Sequence, residues 1–540
     1  MRIRIVIVFF LFLFAMGGLG FRLMYMADQP VALHHGAQRL TVAQSRGAIL
    51  DRNGQPIVHA YRQMYAAARP SVRASEALRG MLTQERWLEA DRRLSYGNLI
   101  ALRVPNAQSA PPTPDIVLVD VYPRYGPQQP AVHLIGHLDQ NGAGVHGLER
   151  AFDNLLGGAS GALTLRLAAD ARGHGLAGAQ LEVHDENYLS TAGIQLTIDL
   201  RIQRIVENAM RRHGLSPGAV VVLCVETGDI LAMASSPDFN PNNIAASLGN
   251  PQEPFFNRAL GAYPIGSTFK TFIAAAALDQ RIPATRQYFC QGQMLVGGRI
   301  FRCINEIAHG YVDMGQAFAQ SCNLYFIRLA AQLQLQPMLD LVRLFGFGEE
   351  TVLAPGIRDA RGNVPAEAQL AHAGEMANFS FGQGLLLGTP LQMAAATAAI
   401  ANGGVYHSPA LVKATIDENG AVTPFVNDRE TRQVISPEVA QYLREMMLLT
   451  VRAGTGRSAR PEEGGAGGKT ATAQSGQFNE DGSEILQTSF TGFFPAQTPA
   501  VAITVFREDG VSGAADGGPV FAEIANQLTA GGEDAILFLL

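Results

Sequence analysis

Residues 263–270 read YPIGSTFK, with Ser267 and Lys270 three positions apart just ahead of the apolar run TFIAAAAL at 271–278. If that run is a helix, positions i and i+3 share one face, so the Lys270 amine reaches the Ser267 hydroxyl from one turn away. A serine beside an amine is a nucleophile beside its base, the apparatus of acyl transfer through a covalent serine intermediate. Taken alone, the pair also describes a helix cap followed by a solvated lysine. Two further polar groups lie downstream: Ser321, Cys322 and Asn323, and the GKTAT run from Gly468 to Thr472. A lysine ordinarily titrates near about 10.4, so holding Lys270 neutral at pH 7 costs roughly 4–5 kcal/mol. Burial, a helix amino terminus and a second ammonium from Lys469 all push in that direction.

The elements that must position these groups are legible from periodicity. TIDLRIQRIVENAMRRHG reads as a helix closed by a glycine, and GAVVVLCVETGDILAMAS as two strands about a Thr-Gly-Asp turn. GGKTATAQS, TSFTGFFP and AVAITVF read as a late group of strands, with a largely helical stretch through the 300s and 390s between the two groups. A sheet whose first and last strands flank a helical subdomain predicts an α/β (α+β) sandwich in which sequence-distant strands meet. Upstream, RGAILDRNG reads as a strand running into an Asn-Gly turn, inside an irregular mixed module reaching to about residue 195.

SxxK, SxN and a KTG-like triplet, in that order, are the signature shared by penicillin-binding proteins and class A β-lactamases. The chain resembles a class B penicillin-binding protein, a monofunctional peptidoglycan D,D-transpeptidase, over nearly its whole length. RGAILDRNG, GVHGLERAFDNLLGG, TIDLRIQ, ETGDILAM, SSPDFNPN, TPLQMAAATAAIANGG and SFTGFFP are similar to collinear segments of that family. The resemblance implies a penicillin-binding, serine β-lactamase-like transpeptidase domain behind an elongated pedestal. It implies that Ser267 attacks the penultimate D-Ala carbonyl of a stem peptide and that Lys270 is the base. Asn323 would hold Lys270 and the substrate backbone, and the Ser321 hydroxyl would relay a proton to the leaving amine. Lys469 and Thr470 would bind the terminal carboxylate, with the Ser267 and Thr472 N–H groups forming the oxyanion hole. Two departures stand out: Ala471 replaces the usual glycine of KTG, and Ile265 separates Pro264 from Gly266. Cys322 is expected to point into the core. His309 with Gly310, the Gly382–Gln383–Gly384 loop and Met446 with Met447 read as structural.

The alternatives are hydrolysis by a D,D-carboxypeptidase or β-lactamase, and a non-catalytic penicillin-binding scaffold or sensor. The class A glycosyltransferase signature is not recognisable in residues 27–195, so the resemblance implies a separate multi-spanning glycosyltransferase partner. The expected ligands are D-Ala-D-Ala stem peptides and β-lactams, with no cofactor.

Composition sets the remaining bounds. A chain of 540 residues with net charge -6 suggests two or three domains and leaves no basic excess for nucleic acid. Arg2 and Arg4 precede an uncharged run from Ile5 to Phe21. This predicts a single-pass anchor in the cell membrane, with a cytoplasmic amino terminus and an extracytoplasmic catalytic domain; a cleaved signal peptide is the competing reading. The expected layout is residues 1–4 as tail, 5–26 as transmembrane anchor, 27–195 as pedestal and 196–540 as transpeptidase domain. Four cysteines do not make a disulfide scaffold. Cys290 and Cys303 flank the hairpin-like QGQMLVGGRIF and either pair across it or stay as buried thiols. No CxxC, HExxH or calcium-loop pattern occurs, so no metal is expected.

Overall fold

A computed structural model describes residues 2–28, 36–105, 113–170, 175–176, 179–426, 429–479 and 481–529. The chain divides into two compact units, and the division is not a single cut. One unit comprises residues 1–45, 61–123 and 160–189; the other takes 46–60, 124–159 and 190–540. Where the sequence suggests one boundary near 195, two upstream segments fold with the larger unit. The reason is in the RGAILDRNG segment: its strand, Ala48–Leu50, pairs in parallel with Gly193–Leu196, which pairs in turn with Val412–Ile416. Arg46 and Arg124 close the same region by holding the buried Glu149 carboxylate at 3.1 and 2.7 Å.

The smaller unit contains two three-stranded sheets. Ala37–Ser45, Gly161–Ala168 and Glu182–Glu186 form one; Ile100–Arg103, Gln63–Ala68 and Ile116–Val121 form the other. Helices Val72–Arg79 and Gln84–Ser95 supply Ala74, Leu78, Ala90 and Leu94 to the core beneath the second sheet. The amino-terminal segment is a 27-residue helix, Arg2–Asp28. Its described side chains from Phe9 to Arg22 are all exposed. Among the described residues, no helix is long and apolar enough to cross a membrane.

The larger unit is built on a five-stranded antiparallel sheet. Its strands are β1 (Gly218–Cys224), β2 (Ile230–Ser236), β3 (Gly467–Phe478), β4 (Glu484–Phe494) and β5 (Val501–Arg507), in the spatial order β2-β1-β5-β4-β3. Every residue of β1 is buried because both faces of the sheet are covered, and the strand therefore reads as a continuous apolar run. Its side chains alternate between two cores. Val220, Val222 and Cys224 join the core formed with helices Leu200–Arg212 and Gly518–Thr529. Ala219, Val221 and Leu223 join the opposite core, which contains Lys270–Asp279, Pro390–Ala401 and Pro437–Ala453. Met446 and Met447 lie in that second core. Helix Leu200–Arg212 starts on Asp199, whose carboxylate accepts from the N–H groups of Arg201 and Ile202. Helix Pro390–Ala401 starts on a Thr389–Gln392 capping box.

Candidate active site

Helix Lys270–Asp279 is apolar all round and buried from Lys270 to Ala277, which makes it a central core helix. Ser267 is not within it. Gly266–Phe269 forms a 3-10 turn leading into the helix, and the tighter turn eclipses positions i and i+3. Ser267 and Lys270 are therefore stacked: the Lys270 Nζ lies 3.0 Å from Ser267 Oγ. Gly266 sits at φ +57°, where a side chain is strained. A Cβ there would also lie 3.1 Å from the Ala473 methyl and 3.2 Å from that of Ala471. The glycine thus lets the serine turn press against β3. From the other side the Gly382 carbonyl accepts the Gly266 N–H at 3.0 Å, so the Gly382–Gln383–Gly384 turn buttresses the nucleophile.

The second polar group arrives on an irregular turn. Ser321 has φ 57°, between helices Met314–Ala319 and Asn323–Ala330. This left-handed conformation is costly for a non-glycine residue. The turn leaves the Ser321 hydroxyl, the Ser321 carbonyl and the Asn323 amide converging on Lys270. Lys270 Nζ donates to Ser321 O at 2.8 Å, Ser321 Oγ at 3.0 Å and Asn323 Oδ1 at 2.6 Å. Asn323 is held in turn by its Nδ2, which donates to the Arg302 carbonyl at 2.8 Å.

The third group comes from β3, an edge strand of the sheet. Lys469 Nζ donates to Ser321 Oγ and to the Thr470 carbonyl, both at 3.0 Å. Ser321 Oγ is therefore shared by two amines. Both lysines are wholly buried. Burial lowers Lys270 to a pKa of about 7. Lys469 is also held well below its ordinary value, first by burial and then by the positive charge of Lys270. Each amine faces an aromatic ring: Lys270 lies 5.9 Å from the Phe326 centroid and Lys469 5.7 Å from that of Phe318. Such contacts partly replace lost hydration.

Ser267, Lys270, Ser321, Asn323 and Lys469 thus form one bonded cluster. Thr470 lies beside it, its Oγ1 2.8 Å from Thr455 Oγ1. The backbone of Thr472 lies alongside the Gly266–Ser267 turn. Ala471 is buried on the side of β3 that faces Gly266, so its extra methyl fills packing space behind the serine turn. Sequence reasoning missed Thr455 and the Arg302 carbonyl, because one lies in an ordinary glycine-rich loop and the other is a backbone atom.

The sequence holds no short metal motif and no metal is expected from it, yet one group of potential ligands does form. Cys290, Cys303, His309 and Cys322 come together with their ligand atoms all within 4.8 Å of one another. Cys322 points inward as expected, toward this cluster, and His309 is part of it. The hairpin Gln293–Val296 with Arg299–Arg302 brings Cys290 and Cys303 within 3.7 Å, and all four cysteines are free thiols. The signal was present as three cysteines and a histidine in one short stretch, but their wide spacing matches no short metal motif.

Residues 218–530 match the family described as penicillin binding protein transpeptidase domain. The chain is 29% identical over 415 residues to Stage V sporulation protein D of Bacillus subtilis, covering 73% of this chain and 61% of that protein. It is 31% identical over 404 residues to the peptidoglycan D,D-transpeptidase MrdA of Acinetobacter baumannii, covering 68% and 57% respectively. Its fold matches penicillin-binding protein A of M. tuberculosis, solved as an imipenem acyl-enzyme complex, with TM-score 0.64 and 26% identity over 90% of this chain and 98% of that one. The chain therefore belongs to the penicillin-binding protein transpeptidase family. Its alignment spans about three fifths of the length of the two curated relatives named here.

Proposed function

We propose that the protein is a peptidoglycan D,D-transpeptidase of the class B type. The observation that carries this reading is the buried Lys270 amine, 3.0 Å from Ser267 Oγ and with its pKa lowered to about 7. At neutral pH a large fraction of this amine is unprotonated and able to take the serine proton. Ser267 then attacks the penultimate D-Ala carbonyl of a stem peptide, forming an ester. As the tetrahedral intermediate collapses, the proton returns through Lys270 or Ser321 to the leaving D-Ala nitrogen. The N–H groups of Ser267 and Thr472 stabilise the oxyanion. An amine of a neighbouring stem peptide then resolves the ester and completes the crosslink.

The Ser321–Lys469 hydrogen bond adds a second use for Lys469. The Lys469 amine lies inside the site, bonded to the proton relay, while Thr470 beside it on the edge strand meets the substrate carboxylate. A bound carboxylate would favour the charged form of Lys469. β-Lactams would enter as acylating analogues of the same donor. An edge strand suits an extended peptide.

In this reading residues 1–4 are a cytoplasmic tail and 5–26 a membrane anchor. The helix Arg2–Asp28, with Phe9, Phe10, Phe12 and Phe14 exposed, supports that placement. Residues 27–195 supply most of a pedestal and 196–540 the catalytic domain, outside the membrane. Glycan polymerisation falls to a multi-spanning glycosyltransferase partner. Incubating the purified chain with a stem-peptide donor and an amine acceptor tests the reaction. Crosslinked product is expected; hydrolysed donor alone would replace the reading with a carboxypeptidase, and no acyl-enzyme with a scaffold.

A further inference from the structure

The turn that carries Ser267 continues a short strand, Tyr263–Pro264, which the backbone alone holds weakly. The strand pairs with Leu387–Gly388 over two residues, and Pro264 brings no N–H donor to that ladder. Just beyond it, Gly266 is confined between the Ala471 and Ala473 methyls and the Gly382 carbonyl. A shift of the strand is therefore passed directly to the serine turn. A reacting group misplaced by about 1 Å can cost about 10²-fold in rate, so whatever fixes Tyr263 bears on acylation.

The anchor is made by side chains that the acyl-transfer reading does not use. The Tyr263 hydroxyl donates to Glu508 Oε1 at 3.0 Å, and Arg258 Nε donates to Glu508 Oε2 at 2.9 Å, so each carboxylate oxygen has its own donor. Glu508 directly follows β5, and its N–H donates at 3.0 Å to the carbonyl of Pro217, the residue before β1. Arg258 is held in turn: its Nη2 donates to the Gln252 carbonyl at 2.8 Å, and its backbone N–H to Ser235 Oγ on β2 at 3.0 Å. The Tyr263 ring packs on Phe506 of β5, with centroids 4.1 Å apart. A Cβ at Gly261 would lie 2.9 Å from the Tyr263 oxygen, so the backbone there closes directly on the phenol. Tyr263 and Arg258 are both buried. Burial first, and then the Glu508 charge, raise the Tyr263 pKa, and the phenol stays a donor. A largely buried ion pair adds little net stability over apolar groups of the same shape, but it does fix a position.

We propose that Glu508 and Arg258 are positioning residues for acylation, acting through the Tyr263 hydroxyl to tie the serine strand to the end of the central sheet. They set where Ser267 stands relative to the acyl donor and touch neither the donor nor Lys270. The inference rests on Ser267 being the acylated residue and holds whichever acyl acceptor the protein uses.

Stopped-flow acylation of the full chain by a fluorescent penicillin tests the assignment, with rates expressed per active molecule from the final adduct mass. Tyr263→Phe keeps the ring against Phe506 and removes only the hydroxyl. Its saturating acylation rate should fall about tenfold, while the half-saturating concentration stays within about twofold of wild type. The pH midpoint should remain at about 7, because Lys270 is untouched. Glu508→Gln leaves one acceptor oxygen for two donors and should slow acylation by a similar factor. The double variant should be within about twofold of the slower single one, because both changes break the same bond. Arg212→Ala, which removes an exposed ion pair with Glu523 elsewhere in the unit, should acylate at the wild-type rate. A purely structural role would lower the active fraction and the melting temperature but leave the rate per active molecule unchanged; that result for Tyr263→Phe would overturn the proposal. Losses that multiply in the double variant would do the same. A wild-type chain that forms no adduct would overturn the assignment of Ser267 together with it, whereas a normal wild-type adduct beside an unslowed Tyr263→Phe overturns the positioning role alone.

Discussion

Lys469 Nζ donates a hydrogen bond to Ser321 Oγ at 3.0 Å, so the strand lysine is bonded to the turn serine and not held out toward solvent. The two amines of the site act on one hydroxyl, which ties the titration of each to the other.

This coupling sets a pH profile. Acylation by a fluorescent penicillin requires the neutral Lys270 amine, so its rate should rise with pH through about 7 and then level. Replacing Lys469 with methionine removes an amine that burial and the charge of Lys270 already hold well below its ordinary value, so the Lys270 midpoint should stay in place. Stopped-flow labelling across pH would show it; a midpoint moved to higher pH would mean that Lys469 carries charge when Lys270 titrates.

The nucleophile itself gives the sharpest contrast. Ser267→Ala should abolish covalent labelling, a loss of at least about a thousandfold, without changing the melting temperature appreciably. Lys270→Ala should reduce the rate by about 10²–10⁴. Mass spectrometry of the labelled wild-type chain should place the adduct on the peptide containing Ser267.

Ser321→Gly separates strain from chemistry. The left-handed backbone at φ 57° costs a non-glycine residue roughly 1 kcal/mol, which glycine relieves. The variant should therefore melt no lower than wild type while labelling at least about tenfold more slowly, because the relay hydroxyl is gone. A lower melting temperature with unchanged labelling would refute the role assigned to the hydroxyl.

Gly266→Ala and Ala471→Gly probe the contact between the serine turn and β3. The first places a methyl 3.1–3.2 Å from two others at a left-handed residue and should destabilise by about 1–3 kcal/mol, with slower labelling. The second removes a buried methyl and should cost about 1 kcal/mol with labelling changed by less than threefold. Thermal melts and labelling rates together check both.

Asp359 offers a test remote from the chemistry. Its carboxylate accepts the Thr351 N–H at 2.6 Å and the Thr389 hydroxyl at 2.9 Å, yet burial raises its pKa to about 6. The unfolded side chain titrates near about 3.9, so the folded state binds the extra proton between those values and loses stability as pH rises through 6. Asp359→Asn avoids that loss. Its stability relative to wild type should improve by about 2 kcal/mol between pH 4 and 7 in urea melts.

Much of this arrangement was legible in the residues themselves. GAVVVLC announced a strand, and TFIAAAAL a helix behind the serine. GGKTATAQS, TSFTGFFP and AVAITVF coincide, to within one residue at an end, with three neighbouring strands of the central sheet. What escaped depended on contacts that local pattern does not encode. The 3-10 turn at Ser267 is set by the pressure of β3 and the Gly382 turn on Gly266. The return of residues 46–60 and 124–159 to the larger unit depends on a strand pairing and on a carboxylate shared by two arginines. The thiol and imidazole cluster depends on a hairpin and a helix cap meeting, with each residue bland on its own.

The placement of Val501–Arg507 between Gly218–Cys224 and Glu484–Phe494 has a temporal side. The seryl half of the machine is synthesised long before the strand that joins it to the lysine half. A polypeptide ending before Val501 lacks the middle strand, so β3 and β4 have no ladder to Gly218–Cys224. A chain truncated after residue 500 is therefore expected to label with penicillin far more slowly than the full chain.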